Sequence, residues 1–114
     1  MLSERYPVLW VGQAAVISAP VEVDVTNADD IVNCLLSTIS NGARVLIVDM
    51  TATTFCDCAG VHALVTCWAQ AAAEGISLRL AAAAPAVTLV LGITGASRVI
   101  DIRPTVAAAL IEPG

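Results

Sequence analysis

Apolar and polar positions change period several times along the chain, which separates predicted strands from predicted helices. Two β-rich runs, 6–11 and 13–19, are joined by a glycine and predict a hairpin. Within 28–40 the apolar residues recur at helical spacing, which predicts a helix. The continuous apolar run 44–50 predicts a central strand that is covered on both faces.

The second half of the chain repeats this alternation. A helical pattern begins at Ala59 and closes at Glu74-Gly75. Strands alternating with helices favour right-handed crossovers and parallel neighbours. The predicted fold is therefore α/β, with a small mixed sheet of N-terminal hairpin plus parallel strands, flanked by about four helices. The remaining predicted elements are a strand at 76–81, a helix at 85–91, a strand at 99–102 and a helix at 105–110.

Four polar residues stand where helices start or strands end. Thr26 opens a sequence with the form of a capping box before the first helix. Asp57 suits the N-cap of the second long helix, and Thr105 suits the N-cap of the last one. Asp49 ends the central strand and is expected to hold the following turn through its carboxylate.

The helical faces also predict where several side chains lie. Cys34 and Thr38 fall away from the apolar face of the first helix, and Cys67 falls on the flank of the second. Trp68 is at a core spacing, and Trp10 is expected to pack on one face of the hairpin. Cys56, at a strand end, is expected to be a buried core residue.

Composition narrows the class of function. With 58% hydrophobic and only 13% charged residues, the 114-residue chain is expected to form one domain, 1–114, with a face for a partner. The formal charge is −5, and the five arginines are scattered, which argues against a nucleic-acid partner. The four cysteines lack the paired spacing of a zinc site, so no metal and no cofactor is expected.

Two stretches bear on location. The start, MLSERYP, lacks the basic and then apolar order of a secretory signal, which predicts a cytoplasmic protein with free thiols. Residues 80–97 contain no charged side chain, and an uncharged run of this length also suits a membrane span. Pro85, Gly92 and Gly95 instead favour a strand, a helix and a turn, so no direct membrane insertion is expected.

The segment FCDCAGVHAL, residues 55–64, carries the candidate chemistry. Cys58 lies at a helix start, where thiol pKa values fall and oxidation becomes easier, although Asp57 opposes ionisation. An inert thiol of serine size is the alternative that we favour. His62 is one helical turn from Cys58, but no further orienting residue or oxyanion loop completes a catalytic set, so no enzyme is expected.

Three motifs in this order, VEVDVTNA, RVLIVDM and TFCDCAGVHAL, resemble the STAS domain family of anti-sigma factor antagonists, nearly end to end. The resemblance implies a small mixed sheet with flanking helices and a role in binding a partner. The partner that the resemblance implies is an anti-sigma factor that is also a serine kinase, and in the family this binding controls sigma factor availability. In the family, phosphorylation of a motif serine breaks the complex.

The resemblance also implies a docking surface and one departure from the family. Cys58 stands at the position of the phosphorylatable serine, so the usual phosphoswitch is expected to be missing. A transporter accessory subunit and a thiol-based redox regulator stay open as alternatives, as does a homodimer. The implied docking residues are Glu22, Asp24, Thr26, Asn27, Thr53, Thr54, Asp57, Cys58, Ala59, Gly60 and His62.

Overall fold

The computed structural model describes residues 6–111 as a layered α/β structure. A short 3₁₀ helix, Ala96–Arg98, precedes the last strand. The elements in chain order are β1 (Val8–Val11), β2 (Ala14–Ser18), β3 (Glu22–Val23), α1 (Ala28–Ser40), β4 (Val45–Met50), β5 (Phe55–Cys56), α2 (Cys58–Ala73), β6 (Ser77–Ala82), α3 (Pro85–Ile93), β7 (Asp101–Arg103) and α4 (Val106–Leu110).

The main sheet has five strands in the order β1-β2-β4-β6-β7. β1 and β2 pair antiparallel, with Val8 opposite Ile17, and form the predicted hairpin. The pairs β2 with β4, β4 with β6, and β6 with β7 are all parallel. The mixed sheet with four flanking helices is thus confirmed among the described residues.

The central strand β4 is covered on both faces, as its apolar run predicts. Leu46 and Val48 point into the larger core cluster, which the apolar sides of α1, α2 and α3 complete. Ile47 points to the other face, where it packs with Val16, Ala81 and Ala109 of α4. Burial on both faces requires an uninterrupted apolar strand, and that requirement explains the sequence of β4.

Two residues of the segment VEVDV, Glu22 and Val23, form a strand rather than only a lead into α1. β3 pairs parallel with β5, with Glu22 opposite Phe55 and Val23 opposite Cys56. These two strands form a separate two-stranded sheet. The pairing joins two segments that are distant in the sequence and that both contribute to the predicted docking surface.

The capping box predicted at Thr26 is wrong. The N-cap of α1 is Asn27, and no side chain caps this helix. The Thr26 hydroxyl instead donates to the carboxylate of Asp24. The Asn27 side chain also turns backward, so the loop before α1 competes with the helix for these polar groups.

Several predicted side-chain positions are also wrong. Thr38 is buried, because its hydroxyl donates to the Cys34 carbonyl oxygen at 2.8 Å and leaves the methyl group to pack. Cys67 is fully buried, and Cys34 is half-buried against the core. Trp10 is 44% exposed, whereas Trp68 packs against the core as expected.

The uncharged stretch after β6 forms α3 and a turn, as Pro85 and the glycines predict. Pro85 begins the helix, and Gly95 follows it with a positive φ of 84°. The last strand begins at Asp101, two residues later than predicted, because the N–H groups of Val99 and Ile100 donate back to the Ala96 carbonyl oxygen at 3.1 and 2.9 Å. Between residues 6 and 111, no helix has the length and apolar character needed to cross a bilayer.

Candidate docking surface

The first turn of α2 presents Cys58 to solvent. Asp57 is the N-cap with an extended backbone, and its carboxylate accepts the Gly60 backbone N–H at 2.9 Å. This confirms the predicted cap. The helix begins at Cys58, one residue earlier than expected, and the Cys58 side chain is exposed. An N-cap satisfies one backbone donor and leaves others of the first turn open to water or a partner.

Gly60 sets the distance between α2 and the two-stranded sheet. A Cβ atom at this position would lie 2.7 Å from Val23 Cγ1, 2.9 Å from the Val23 carbonyl oxygen and 3.0 Å from Cys56 Sγ. Because real Cβ contacts are longer, only glycine allows the helix to approach β3 and β5 this closely. The close approach brings the start of α2 and the outer residues of the β3–β5 pair into one surface.

The β3–β5 pair places acidic and aromatic side chains side by side. Val23 and Cys56 point inward and are buried. Side chains alternate along strands, so Glu22 and Phe55, which lie opposite each other, point outward. The Asp57 N–H donates to the Val23 carbonyl oxygen at 3.1 Å and continues the pairing to the start of α2.

The loop between β3 and α1 is held by its own polar side chains. The Asp24 carboxylate accepts the Thr26 backbone N–H at 2.9 Å as well as its hydroxyl, and these hydrogen bonds lower the pKa of Asp24. Asn27 accepts the Asp24 N–H at 3.0 Å through Oδ1 and donates to the Glu22 carbonyl oxygen at 2.8 Å through Nδ2. Asp24 is therefore negatively charged at neutral pH and held in one position.

Thr53 and Gly60 support the surface from below. The Thr53 side chain is fully buried, and its hydroxyl donates to the Pro20 carbonyl oxygen at 2.7 Å. The next residue, Thr54, donates its N–H to the Val21 carbonyl oxygen at 2.8 Å. Thr53 and Gly60 were predicted to contact a partner, but both residues are buried and do not reach the surface. The other nine predicted residues are exposed or half-buried: Glu22, Asp24, Thr26, Asn27, Thr54, Asp57, Cys58, Ala59 and His62.

Three exposed apolar residues adjoin these nine in the chain and were not predicted from the sequence as surface residues. Val21, Val25 and Phe55 are 56%, 72% and 48% exposed. The alternation in VEVDV groups Val21 and Val25 with the buried Val23, so the pattern alone predicts burial for all three. For Phe55 the sequence did carry a signal, because neighbouring strand residues point to opposite faces and Cys56 was expected to be buried. We call these three residues, together with the nine that reach the surface, the candidate docking surface.

The charge of the candidate docking surface is negative. It includes the carboxylates of Glu22, Asp24 and Asp57, whereas the arginines in 6–111 all belong to other segments: Arg44, Arg79, Arg98 and Arg103. Exposed apolar groups ringed by charge are typical of a contact with a protein of opposite charge.

The cysteines differ in environment, and all four are free thiols. Burial, followed by the neighbouring charges of Asp57 and Cys58, raises the pKa of Cys56 to about 11. Burial alone raises the pKa of Cys67 to about 11. Both thiols are therefore protonated at neutral pH and shielded from reagents, whereas the Cys58 sulfur faces solvent.

Cys58 is exposed at the start of α2. His62 is one turn further along α2 and is also exposed. Three surface cavities of about 270, 430 and 470 Å³ are lined by other residues. In the part of the chain that the structure describes, no group of three or more His, Cys, Asp or Glu side chains is placed to hold a metal ion.

Together these features define a mixed-sheet α/β module with an exposed, acidic and partly apolar surface at the start of a helix. The model of the STAS domain matches residues 9–109. The chain therefore belongs to the STAS domain family. No curated protein sequence matches it.

Solved structures share this fold at low sequence identity. A candidate anti-sigma factor antagonist from Thermotoga maritima superimposes with a TM-score of 0.85 at 16% identity, covering 95% of this chain and 93% of its own. An anti-sigma factor antagonist from Mycobacterium paratuberculosis gives 0.79 at 20% identity, with 92% and 89% covered. A sulfate transporter family protein from Wolinella succinogenes gives 0.78 at 18% identity, with 90% and 85% covered.

Proposed function

We propose that this STAS domain is an anti-sigma factor antagonist that acts by binding rather than by catalysis. Its partner is a kinase-type anti-sigma factor in the cytoplasm, and binding controls how much sigma factor is free. The single observation that carries the proposal is the exposed side chain of Cys58, at the first position of α2 beside the acidic and apolar residues of β3 and β5. The family membership and its structural relatives support the same role.

Charge explains how such a surface is switched. A phosphate on a side chain at the position of Cys58 adds nearly two negative charges next to Asp57, on a surface that already carries Glu22 and Asp24. The partner's contact face must complement the carboxylates that are already present, so it buries the added charge at a cost. A hydroxyl at this position therefore makes binding reversible by phosphorylation.

Cys58 removes that switch from this chain. A serine kinase transfers phosphate to a hydroxyl group, and Cys58 offers a thiol of similar size. The nearest hydroxyl groups do not stand at the motif position: Thr53 is buried against the Pro20 carbonyl oxygen, and the exposed Thr54 lies before β5 rather than at the start of α2. We therefore propose a domain that binds the anti-sigma factor constitutively and escapes its kinase activity.

The test uses isothermal titration calorimetry with purified kinase-type anti-sigma factors from the organism that carries this chain. Wild type and Cys58→Ser are expected to bind with similar affinity. Cys58→Glu is expected to bind roughly tenfold more weakly or worse, because it buries an unpaired charge. Gln70→Glu is the matched control, since Gln70 is exposed on the same helix two turns beyond His62 and outside the candidate docking surface.

A phosphorylation assay with the same partner and ATP separates the two parts of the proposal. Label is expected on Cys58→Ser and not on the wild type. A labelled residue within 53–66 of the wild type contradicts the loss of the switch. Equal affinity of Cys58→Glu and wild type contradicts the placement of the contact.

The accessory subunit of a transporter is the second candidate function, favoured by the shared fold of the sulfate transporter family protein. The two functions differ in the partner. Saturable binding to a purified transporter, with none to any kinase-type anti-sigma factor, would replace the first proposal by the second. The redox alternative predicts that oxidation of Cys58 by mild peroxide weakens binding of wild type and leaves Cys58→Ser unaffected.

A further inference from the structure

The two edges of the main sheet differ in how they are protected. β7 forms one edge, and its outer residues Asp101 and Arg103 form an ion pair with a 2.7 Å contact. β1 forms the other edge, and Leu9, Trp10 and Val11 are 64%, 44% and 46% exposed there. Edge strands of monomers commonly carry charges, bulges or proline that block pairing with another strand. Within Val8–Val11, β1 has none of these.

The backbone of β1 also has hydrogen-bonding groups that point away from the sheet. The Ser18 N–H donates to the Pro7 carbonyl oxygen at 3.0 Å. In an antiparallel ladder, alternate residues direct both backbone groups to the neighbouring strand. Leu9 and Val11 therefore face β2, whereas Val8 and Trp10 direct their N–H and C=O groups out of the sheet edge.

The charges of the chain favour a second copy as the strand that pairs here. The chain has a net charge of −5, but residues 6–21 contain no charged side chain. Two copies can therefore join their β1 edges without opposing their carboxylates. A symmetric contact also closes after two copies, whereas pairing β1 with the β7 edge of another copy would continue without end.

We propose that β1 is a homodimerisation edge, on which two copies pair their β1 strands antiparallel about a two-fold axis through Leu9. The two five-stranded sheets then join into one continuous sheet. In this register Val8 and Trp10 of one copy exchange backbone hydrogen bonds with Trp10 and Val8 of the other. Leu9 of one copy lies opposite Leu9 of the other in a pair without backbone hydrogen bonds, where side chains approach most closely.

This register follows from the side-chain directions. The two-fold axis stands perpendicular to the joined sheet, so side chains of one face in one copy meet those of the same face in the other. Leu9 shares the α4 face of the sheet with Val16, its partner in β2. Pairing Leu9 of the two copies therefore joins the α4 face of one sheet to the α4 face of the other. The same register gives a partner to every backbone group of β1 that points out of the sheet edge.

None of the residues in β1 belongs to the candidate docking surface, so the dimer does not depend on the proposed function. Its test is the mass in solution, measured by sedimentation equilibrium from low micromolar to submillimolar concentration. The wild-type mass is expected to rise from 11.7 kDa toward twice that value. Leu9→Lys places two cations opposite each other and is expected to weaken dimerisation roughly tenfold or more.

Leu89→Lys is the matched control, because Leu89 lies on α3 with a similar exposure of 61%. It is expected to dimerise as the wild type does. Circular dichroism and urea midpoints establish that both lysine variants fold. A wild-type chain that stays at 11.7 kDa over the whole range overturns the proposal, as does a dimer that Leu9→Lys leaves intact.

Cross-linking tests the register independently of affinity. In a Cys58→Ser background, which removes the exposed native thiol, Leu9→Cys is expected to form a disulfide-linked dimer under mild oxidation. Residues directly opposite without hydrogen bonds have the short Cβ separation that a disulfide needs. Leu89→Cys in the same background is the control and should stay monomeric on non-reducing gels. Equal cross-linking of both variants overturns the proposed pairing.

Discussion

Replacing Gly60 by alanine tests whether the close approach of α2 to the β3–β5 pair builds the candidate docking surface. The added methyl group meets Val23 Cγ1 at 2.7 Å, the Val23 carbonyl oxygen at 2.9 Å and Cys56 Sγ at 3.0 Å. Carbon atoms in favourable contact lie about 3.5 to 4.0 Å apart. One of the three obstacles is a backbone atom, which no rotamer change can move away, so the helix itself must shift.

The magnitude follows from two opposing terms. Overpacking of this kind costs about 1 to 3 kcal/mol. Alanine is also a better helix former than glycine, by about 1 kcal/mol. Because the contacts include backbone, we expect the upper part of the first range and a net loss of about 1 to 2 kcal/mol in the free energy of unfolding.

Urea denaturation followed by circular dichroism measures this difference. With an m-value of about 2 kcal/mol/M, the midpoint of Gly60→Ala is expected to fall by roughly 0.5 to 1 M. Gly92→Ala is the control, because Gly92 lies exposed in α3 and a Cβ there meets nothing within 4 Å. It is expected to stabilise the protein by up to about 1 kcal/mol.

Opposite signs for the two alanine variants are the essential result. If Gly60→Ala is as stable as wild type or more so, then α2 does not pack against Val23 as closely as described. A Gly60→Ala variant that is destabilised but binds its partner with unchanged affinity would instead show that the position of the helix start does not shape the docking surface.

Three further measurements test the helix cap and the thiols. Asp57→Ala removes the acceptor for the Gly60 N–H and should lower the free energy of unfolding in urea by about 1 kcal/mol, whereas Asp57→Asn should retain most of it. Iodoacetamide at neutral pH should alkylate Cys58 well before Cys56 and Cys67, as read by peptide mass spectrometry, because only Cys58 is exposed among these three. Folding raises the pKa of Cys56 and Cys67 from 9.0 to about 11, so the unfolded thiols ionise first. Below pH 9 both thiols are protonated in the folded and the unfolded chain, so their full contribution to the free energy of unfolding is present. Between pH 9 and about 11 the free energy of unfolding should fall by about 1.4 kcal/mol per pH unit for each thiol. Cys67→Ala should remove about half of that slope in urea titrations.

Each of these has a result that contradicts it. Equal stability of Asp57→Ala and wild type would show that the cap contributes nothing. Simultaneous alkylation of Cys58 and Cys67 would mean that α2 opens faster than the reagent reacts. An unchanged alkaline slope in Cys67→Ala would assign the loss of stability to groups other than this thiol.

Local patterns in the sequence were sufficient for most elements of the fold. The hairpin, the central strand β4 and the helices α1 and α2 follow from the period of apolar residues, which depends on each residue's near neighbours. The Asp57 cap was equally predictable, because a cap needs only a side-chain oxygen and a donor three residues away. The turn after β4 was too, since Asp49 accepts the Thr51 N–H at 3.0 Å.

Predictions failed where packing or a competing hydrogen bond overrides the periodic or capping pattern. Thr26 has a capping sequence, yet its hydroxyl donates to the carboxylate of Asp24 in the loop before α1. Cys67 lies at the flank of the helical pattern and is buried all the same, since a neighbouring element covers that side. Such covering depends on the packing angle of two elements, which the helical period does not contain.

The sequence by itself determined the α/β class, the order of the elements and the position of Cys58 at the start of a helix, because periodicity and capping are short-range properties. Only the tertiary structure decided which residues form one surface. The parallel pairing of β3 with β5 sets Glu22 beside Phe55, and the missing side chain of Gly60 lets α2 close against both strands. Strand register and close approach arise from contacts between segments about thirty residues apart, for which a single sequence carries no local signal.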